Sequence, residues 1–205
     1  MLVFWKERLV FLAVPKTGST AYETALAGRA DIVVSNPPEL KHAPIYRYNR
    51  FFRPMFEKNG APDMESLAVV RHPVDWLGSW YRFRRRPFMK GKPNATHHVD
   101  FNEFVAAYCQ GDSPGFANVG SQAKFLEPRP NGTRATYLFR YEDQPGLRAF
   151  LEKRLDVTLE TARENVSPQM ELQLDPKLEG RLRRKFAADF ELWDGIPAEG
   201  GTPAT

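Results

Sequence analysis

The sequence predicts an α/β layered fold: a central, mainly parallel sheet flanked by helices. Three observations carry that reading. Residues 9–14 form a continuous apolar run with β-branched and aromatic members, the pattern of a strand covered on both faces. Apolar runs of this kind alternate along the chain with segments of helical periodicity, the order that α/β units require. The 205 residues suit one domain, and 42% apolar with 26% charged residues lies in the ordinary globular range.

The first strand, 9–14, stops at Pro15 and hands over to a tight loop ending at Thr20, after which 21–27 is helix-compatible. Ser19 or Thr20 is placed to cap that helix. Residues 31–34 read as a second strand and 67–70 as a third, which stops at Arg71, His72 and Pro73. Pro73 suits a first helical turn. Trp76, Trp80 and Phe83 follow at helical spacing with Leu77 and Tyr81 beside them, an apolar face read as core. Phe101, Phe104, Val105 and Tyr108 repeat the pattern behind a capping arrangement of Asp100 and Glu103. Residues 136–139 read as a strand and 147–155 as a helix; Asp175 and Pro176 open one last helix through Leu178, Leu182, Phe186 and Phe190. Two segments are loose: 87–99, a candidate lid, and the Gly/Pro-rich end from Pro197. One catalytic-sized domain therefore spans 1–196, with 197–205 a flexible C-terminal tail.

Composition removes several function classes. The single cysteine, Cys109, leaves no internal disulfide and no Cys-based zinc cluster; it reads as a small core residue. The 9–14 run is far shorter than the roughly 20 residues of a membrane span. Lys6, Glu7 and Arg8 break the apolar start, against a secretory signal. The expectation is a cytoplasmic protein with no membrane span. Net charge is only +4, yet Arg82, Arg84, Arg85, Arg86, Lys90 and Lys92 come without an intervening acid. That run reads either as an anion-attracting segment or as a solvated helix end whose cations oppose the dipole. Acids are plentiful elsewhere and no nucleic-acid motif is present, so nucleic acid is not an expected partner.

The chemistry gathers in two places. Pro15, Lys16, Thr17, Gly18, Ser19 and Thr20 join a buried strand to a helix through a turn with one lysine and three hydroxyls. Gly18 allows close backbone approach, free amides at the helix start suit phosphate oxygens, and Lys16 adds a full charge. A small-residue turn serving connectivity alone is the plain alternative. The magnesium-nucleotide loop G-x-x-x-x-G-K-[ST] is not matched, because lysine here precedes the only glycine. Arg71, at the end of the third strand, and Ser79, eight residues later in the next helix, are spaced to reach one phosphate together. Their value comes from lying beside the first loop, since open α/β sheets bind ligands at the carboxyl ends of strands.

With these residues in view, the sequence resembles the 3′-phosphoadenosine 5′-phosphosulfate (PAPS)-dependent sulfotransferases. PKTGST is similar to that family's 5′-phosphosulfate loop, and VVRHPVDWLGSWYRF to its 3′-phosphate segment, with Arg71 and Ser79 at the matching positions. Weaker echoes are GSQAKFL around Gln122, FRYED from Arg140 to Asp143, NVS at 165–167 and AADFELW at 187–193. The likeness is nearer to the bacterial and carbohydrate-type branches: Ala21 stands where small-molecule enzymes commonly have tryptophan, and no Arg-Lys-Gly segment closes the 3′-phosphate site.

The resemblance implies a three-layer P-loop-like fold and sulfuryl transfer from PAPS to a hydroxyl or amine, leaving adenosine 3′,5′-bisphosphate. The acceptor class stays open, with carbohydrate or another anionic molecule in view. It implies Lys16 as a catalytic cation, cofactor contacts from Lys16, Thr17, Gly18, Ser19, Thr20, Arg71 and Ser79, and no metal. His42 is the expected general base, histidine being suited to that task near neutrality, with Glu39 in reserve and a structural histidine as the alternative. His72 reads as packing under its turn, and His97 and His98 as surface residues. Two other functions share these features: an ATP-dependent phosphotransferase, and a non-catalytic nucleotide-binding protein on the same fold.

Overall fold

A computed structural model describes residues 1–159 and 170–203. The chain runs β1 (Leu2–Phe4), β2 (Leu9–Phe11), α1 (Ser19–Leu26), β3 (Ile32–Val33), α2 (Pro38–Lys41) and α3 (Ile45–Arg47), then a π-helical turn (Tyr48–Phe52) and α4 (Arg53–Lys58). Next come β4 (Glu65–Val70), α5 (Pro73–Arg84), a 3-10 turn (Pro87–Met89), α6 (Phe101–Tyr108), α7 (Gln122–Phe125), β5 (Tyr137–Arg140) and α8 (Gln144–Leu155). The chain closes with α9 (Pro176–Lys185), α10 (Ala187–Asp194) and β6 (Thr202–Pro203).

The strands form one open sheet in the order β3-β1-β2-β4-β5-β6. Only β2 with β4 and β4 with β5 are parallel; β1 is antiparallel to both β2 and β3, and β6 is antiparallel to β5. The sheet is thus mixed, not mainly parallel. The difference begins at the chain start: Leu2–Phe4 is a strand, and the residues that interrupt its apolar run are the hairpin turn into β2. Arg8 completes that turn with φ 53°, its backbone N–H donating a hydrogen bond to the Trp5 carbonyl at 3.3 Å.

Alternation along the strands sends side chains to opposite layers. Val3, Val10, Leu12, Ala68, Val70 and Leu138 pack with Ile45, Tyr48 and Phe56 of the α3–α4 region and with Phe125 of α7. Leu2, Phe4, Leu9, Phe11, Leu67, Val69 and Phe139 pack with Tyr22 and Leu26 of α1 and with Leu147, Leu151 and Leu155 of α8. Helices therefore cover both faces. Trp76, Leu77 and Tyr81 of α5 form a third cluster with α6, α9 and α10, in which Cys109 is buried. Asp100 and Glu103 make the reciprocal capping box that starts α6.

The single helix expected after Asp175 is two helices broken at Phe186, whose backbone turns to φ −118°, ψ 38°. The Phe186 ring stacks on Tyr108 at 4.2 Å, which tethers the corner. Residues 87–99 are not loose throughout: Thr96 Oγ1 donates to the Tyr81 carbonyl at 2.9 Å and the Tyr81 hydroxyl to Val99 at 3.0 Å, with Met89 and Ala95 buried, while 90–93 are exposed. The tail also returns to the domain, where the Gly200 amide donates to Asp143 Oδ2 at 2.8 Å before β6 joins the sheet edge. The NVS segment lies outside the described residues. Among the described residues, no helix is long and apolar enough to cross a membrane.

Candidate functional site

Because β2, β4 and β5 are parallel neighbours, their carboxyl ends share one edge of the sheet. The loop after β2, Arg71 after β4 and Tyr141 after β5 meet there. Lys16 and Gly18 both have left-handed backbone, φ 67° and 75°. For a lysine this costs roughly 1 kcal/mol, and the conformation is held by its surroundings. The buried Thr17 donates its hydroxyl to the Val14 carbonyl at 2.9 Å, and Trp76 Nε1 donates to the Pro15 carbonyl at 2.8 Å. Glycine is favoured at 18 by its φ, and a Cβ there would lie 3.0 Å from the Tyr141 ring, which would have to shift by a few tenths of an ångström.

Gly18 is itself the N-cap of α1, with no side-chain cap; Ser19 and Thr20 are the first helical residues, not its caps. Ser19 is buried and Thr20 exposed. The amides of Ser19 and Thr20 have no acceptor within the helix and carry the positive end of its dipole, whereas the Ala21 amide donates to the Gly18 carbonyl at 3.2 Å. The Thr17 hydroxyl is committed to Val14, so only its backbone is left to a ligand.

Four cations converge on this loop. Burial first, then the charges of Arg86, Arg71 and Arg82, push the Lys16 ammonium down to about 8. Its Nζ lies 4.3 Å from the centroid of Phe83 and 5.8 Å from that of Trp80. The Arg71 guanidinium lies 4.2 Å over Tyr141, and its Nε is buried without a hydrogen-bond partner. None of the four forms a salt bridge among the described residues; Asp75 acts on Arg82 only through its field. Cations crowded beyond ion-pair reach of carboxylates have the electrostatics of an anion site.

Arg71 is fixed through its backbone. Its amide donates to Gln122 Oε1 at 2.9 Å, and Gln122 Nε2 donates back to its carbonyl at 2.8 Å. Gln122 is in turn held by the buried Asp189 carboxylate, which accepts from the Gln122 amide at 2.7 Å, the Ala123 amide at 3.0 Å and Ser121 Oγ at 2.8 Å. Burial raises the Asp189 carboxyl; its three donors and Lys124 oppose the rise. Ser79 is buried on α5, two turns after Arg71.

His42 ends α2 against the strand that feeds the loop: its Nδ1 lies 2.7 Å from the Ala13 carbonyl. A carbonyl only accepts, so Nδ1 carries the proton and Nε2 keeps its lone pair. Burial, more than the opposing Ala13 bond, pushes the imidazole below its ordinary range, which keeps it neutral at pH 7. Glu39 is exposed. His72 packs edge-on against Trp193 at 4.9 Å and Phe190 at 5.8 Å. His98 is exposed beside Phe116, whereas His97 is half-buried, with Nδ1 enclosed. Among the described residues no cluster of three His, Cys, Asp or Glu side chains could hold a metal.

The basic run divides by role. Arg84 donates to the carbonyls of Gly115 at 2.8 Å and Asn118 at 3.0 Å, and Arg85 to Tyr81, Thr96 and Val99, so both are structural. Arg82 and Arg86 turn their fields on Lys16. Trp80, expected in the core, packs at the edge of the third cluster, while the half-buried Phe83 lies outside it; both rings flank that lysine. Positions 79, 82 and 83 share one face of α5, a signal present in the sequence that did not by itself say what the face meets; Arg86 lies past the helix end, on extended backbone. A separate cavity of about 180 Å³, lined by Tyr48, Arg53, Met64, Asn131 and Thr133, lies before the amino ends of β4 and β5 and is remote from this chemistry.

The chain matches no family model, no curated protein and no solved structure in the comparisons with known proteins.

Proposed function

We propose that this chain is a sulfotransferase that uses PAPS, on a three-layer P-loop-like fold. The observation that carries the reading is the convergence of Lys16, in a left-handed glycine turn, with Arg71 at the end of the adjacent parallel strand. Two separate anchors on neighbouring strand ends suit a ligand with two separate anionic groups. The residues present fit such a nucleotide: the partnerless Arg71 Nε is a buried donor, and Ser79 lies on the helix that follows.

When bound, PAPS supplies the sulfuryl group. Lys16 and the amides of Gly18, Ser19 and Thr20 hold the phosphosulfate end, and Arg71 with Ser79 holds the 3′-phosphate. An acceptor oxygen or nitrogen forms its bond to sulfur as the sulfur–oxygen bond to the 5′-phosphate breaks and that phosphate takes the electron pair. Lys16 offsets the charge developing there. His42 Nε2 accepts the acceptor's proton, its ring oriented by the Ala13 carbonyl. The chemistry rests on positioning and fixed charge, with no metal assigned.

Calorimetric titration with adenosine 3′,5′-bisphosphate, beside ATP with and without magnesium, tests the reading. Selective, metal-independent binding of the bisphosphate supports it. Preference for magnesium-ATP would replace it with a phosphotransferase, and bisphosphate binding without sulfuryl transfer to any acceptor would leave a non-catalytic binding protein.

A further inference from the structure

We infer that the acceptor is a ring-bearing anion, a carboxylate or sulfate, and that it lies along an aromatic ledge formed by Trp80, Phe83 and Phe88. This deepens the sulfotransferase reading and rests on it for the place of the reacting atom at Lys16. The three rings run in series: Trp80 meets Phe83 edge-on at 6.0 Å, and Phe83 meets Phe88 edge-on at 5.9 Å. Each end carries cations. Lys16 lies over Trp80 and Phe83, Arg86 over Phe83 at 5.4 Å, and Lys92 over Phe88 at 5.5 Å.

Phe88 is 56% exposed, Phe83 is half-buried, and Trp80 is half-buried against the α5–α6 core cluster. The ledge therefore opens to solvent chiefly at Phe88 and leads back to the lysine assigned to the leaving group. Ring faces of this kind receive the apolar face of another ring. The charge of the occupant follows from which cations the fold uses. Arg84 also lies over Trp80, but its guanidinium is spent on Gly115 and Asn118. The side chains of Arg86 and Lys92 make no hydrogen bond or salt bridge among the described residues. No acid occurs between Arg82 and Lys92 to neutralise them. Each of the two has only a ring face as its partner; a neutral occupant adds nothing to that, whereas a ring carrying an anion offers a charge-assisted hydrogen bond.

Two probes that differ in one carboxylate test this: 4-nitrophenyl β-D-glucuronide and 4-nitrophenyl β-D-glucoside. Each is titrated calorimetrically into the full chain, with and without adenosine 3′,5′-bisphosphate. The glucuronide is expected to bind about tenfold tighter or better, with the preference falling to about threefold or less in Arg86→Gln/Lys92→Gln. Phe88→Ala weakens both probes and leaves bisphosphate affinity unchanged. Equal binding of the two probes, no binding of either, or a preference that survives in the double variant would overturn the ledge. Failure of the nucleotide reading is separately visible: the bisphosphate would not bind, while the probe preference stood. Normal bisphosphate binding without a probe preference would remove the ledge alone.

Discussion

The crowding of cations around Lys16 makes anion binding proton-linked in a way that can be worked through in advance. Burial and the fields of Arg86, Arg71 and Arg82 hold the free ammonium at about 8, so it is mostly protonated at pH 7 and mostly neutral at pH 9. A bound phosphate raises that value, because an opposite charge favours the ammonium. If only the protonated form binds strongly, affinity for adenosine 3′,5′-bisphosphate falls about tenfold between pH 7 and pH 9, or about 1.4 kcal/mol. The ligand's phosphates, with second ionisations near pH ~6, are already charged across that range, and the arginines stay charged throughout. Near pH 8 each binding event takes up about half a proton. Calorimetry in two buffers of different ionisation enthalpy reads that uptake directly, and Lys16→Met should abolish both the uptake and the pH dependence. Affinity that stays flat from pH 7 to 9, without proton uptake, would refute the proposed contact between Lys16 and the anion. The unliganded fold carries the opposite signature. Its Lys16 value lies below the ordinary 10.5, so the unfolded chain binds more protons between about 8 and 10.5, and stability from this group rises with pH there.

Gly18→Ala should cost about 1–2 kcal/mol in a urea unfolding series, from its φ of 75° and from the 3.0 Å approach to Tyr141; a neutral result would mean the loop relaxes freely. Gln122→Leu strands the Arg71 amide and carbonyl, with an expected loss of roughly 2–3 kcal/mol and weaker bisphosphate binding in the same titration. His42→Asn should lower turnover by about a hundredfold or more while bisphosphate affinity holds. In the wild type, kcat/KM should fall with decreasing pH through a value below 6.5, because burial lowers the imidazole; a limb above 6.5 would remove His42 as the base.

Much of the candidate site's local geometry was legible because its signals are local. A buried run ending at Pro15, a glycine turn and a helix-compatible stretch follow each other within 18 residues, from Leu9 to Leu26. Arg71 falls at a strand end for the same reason, and the capping box of Asp100 and Glu103 needs only its own four residues. Whether strands run parallel is not local: Leu2–Phe4 shows its direction only after Lys6, Glu7 and Arg8 turn the chain and β3 pairs on its far side. The support of Arg71 is remote too, since Gln122 is 51 residues away and meets Asp189 a further 67 residues on.

The basic run makes the division plain. Its sequence determined a dense positive segment on a helix and its continuation, with aromatics at helical spacing. Only the tertiary structure decided that Arg84 and Arg85 brace neighbouring loops while Arg82 and Arg86 act on Lys16. Periodicity fixes which side chains share a face of a helix, because that depends on the backbone alone. What the face meets depends on segments distant in sequence, and the partner fixes whether a cation is structural or left to a ligand.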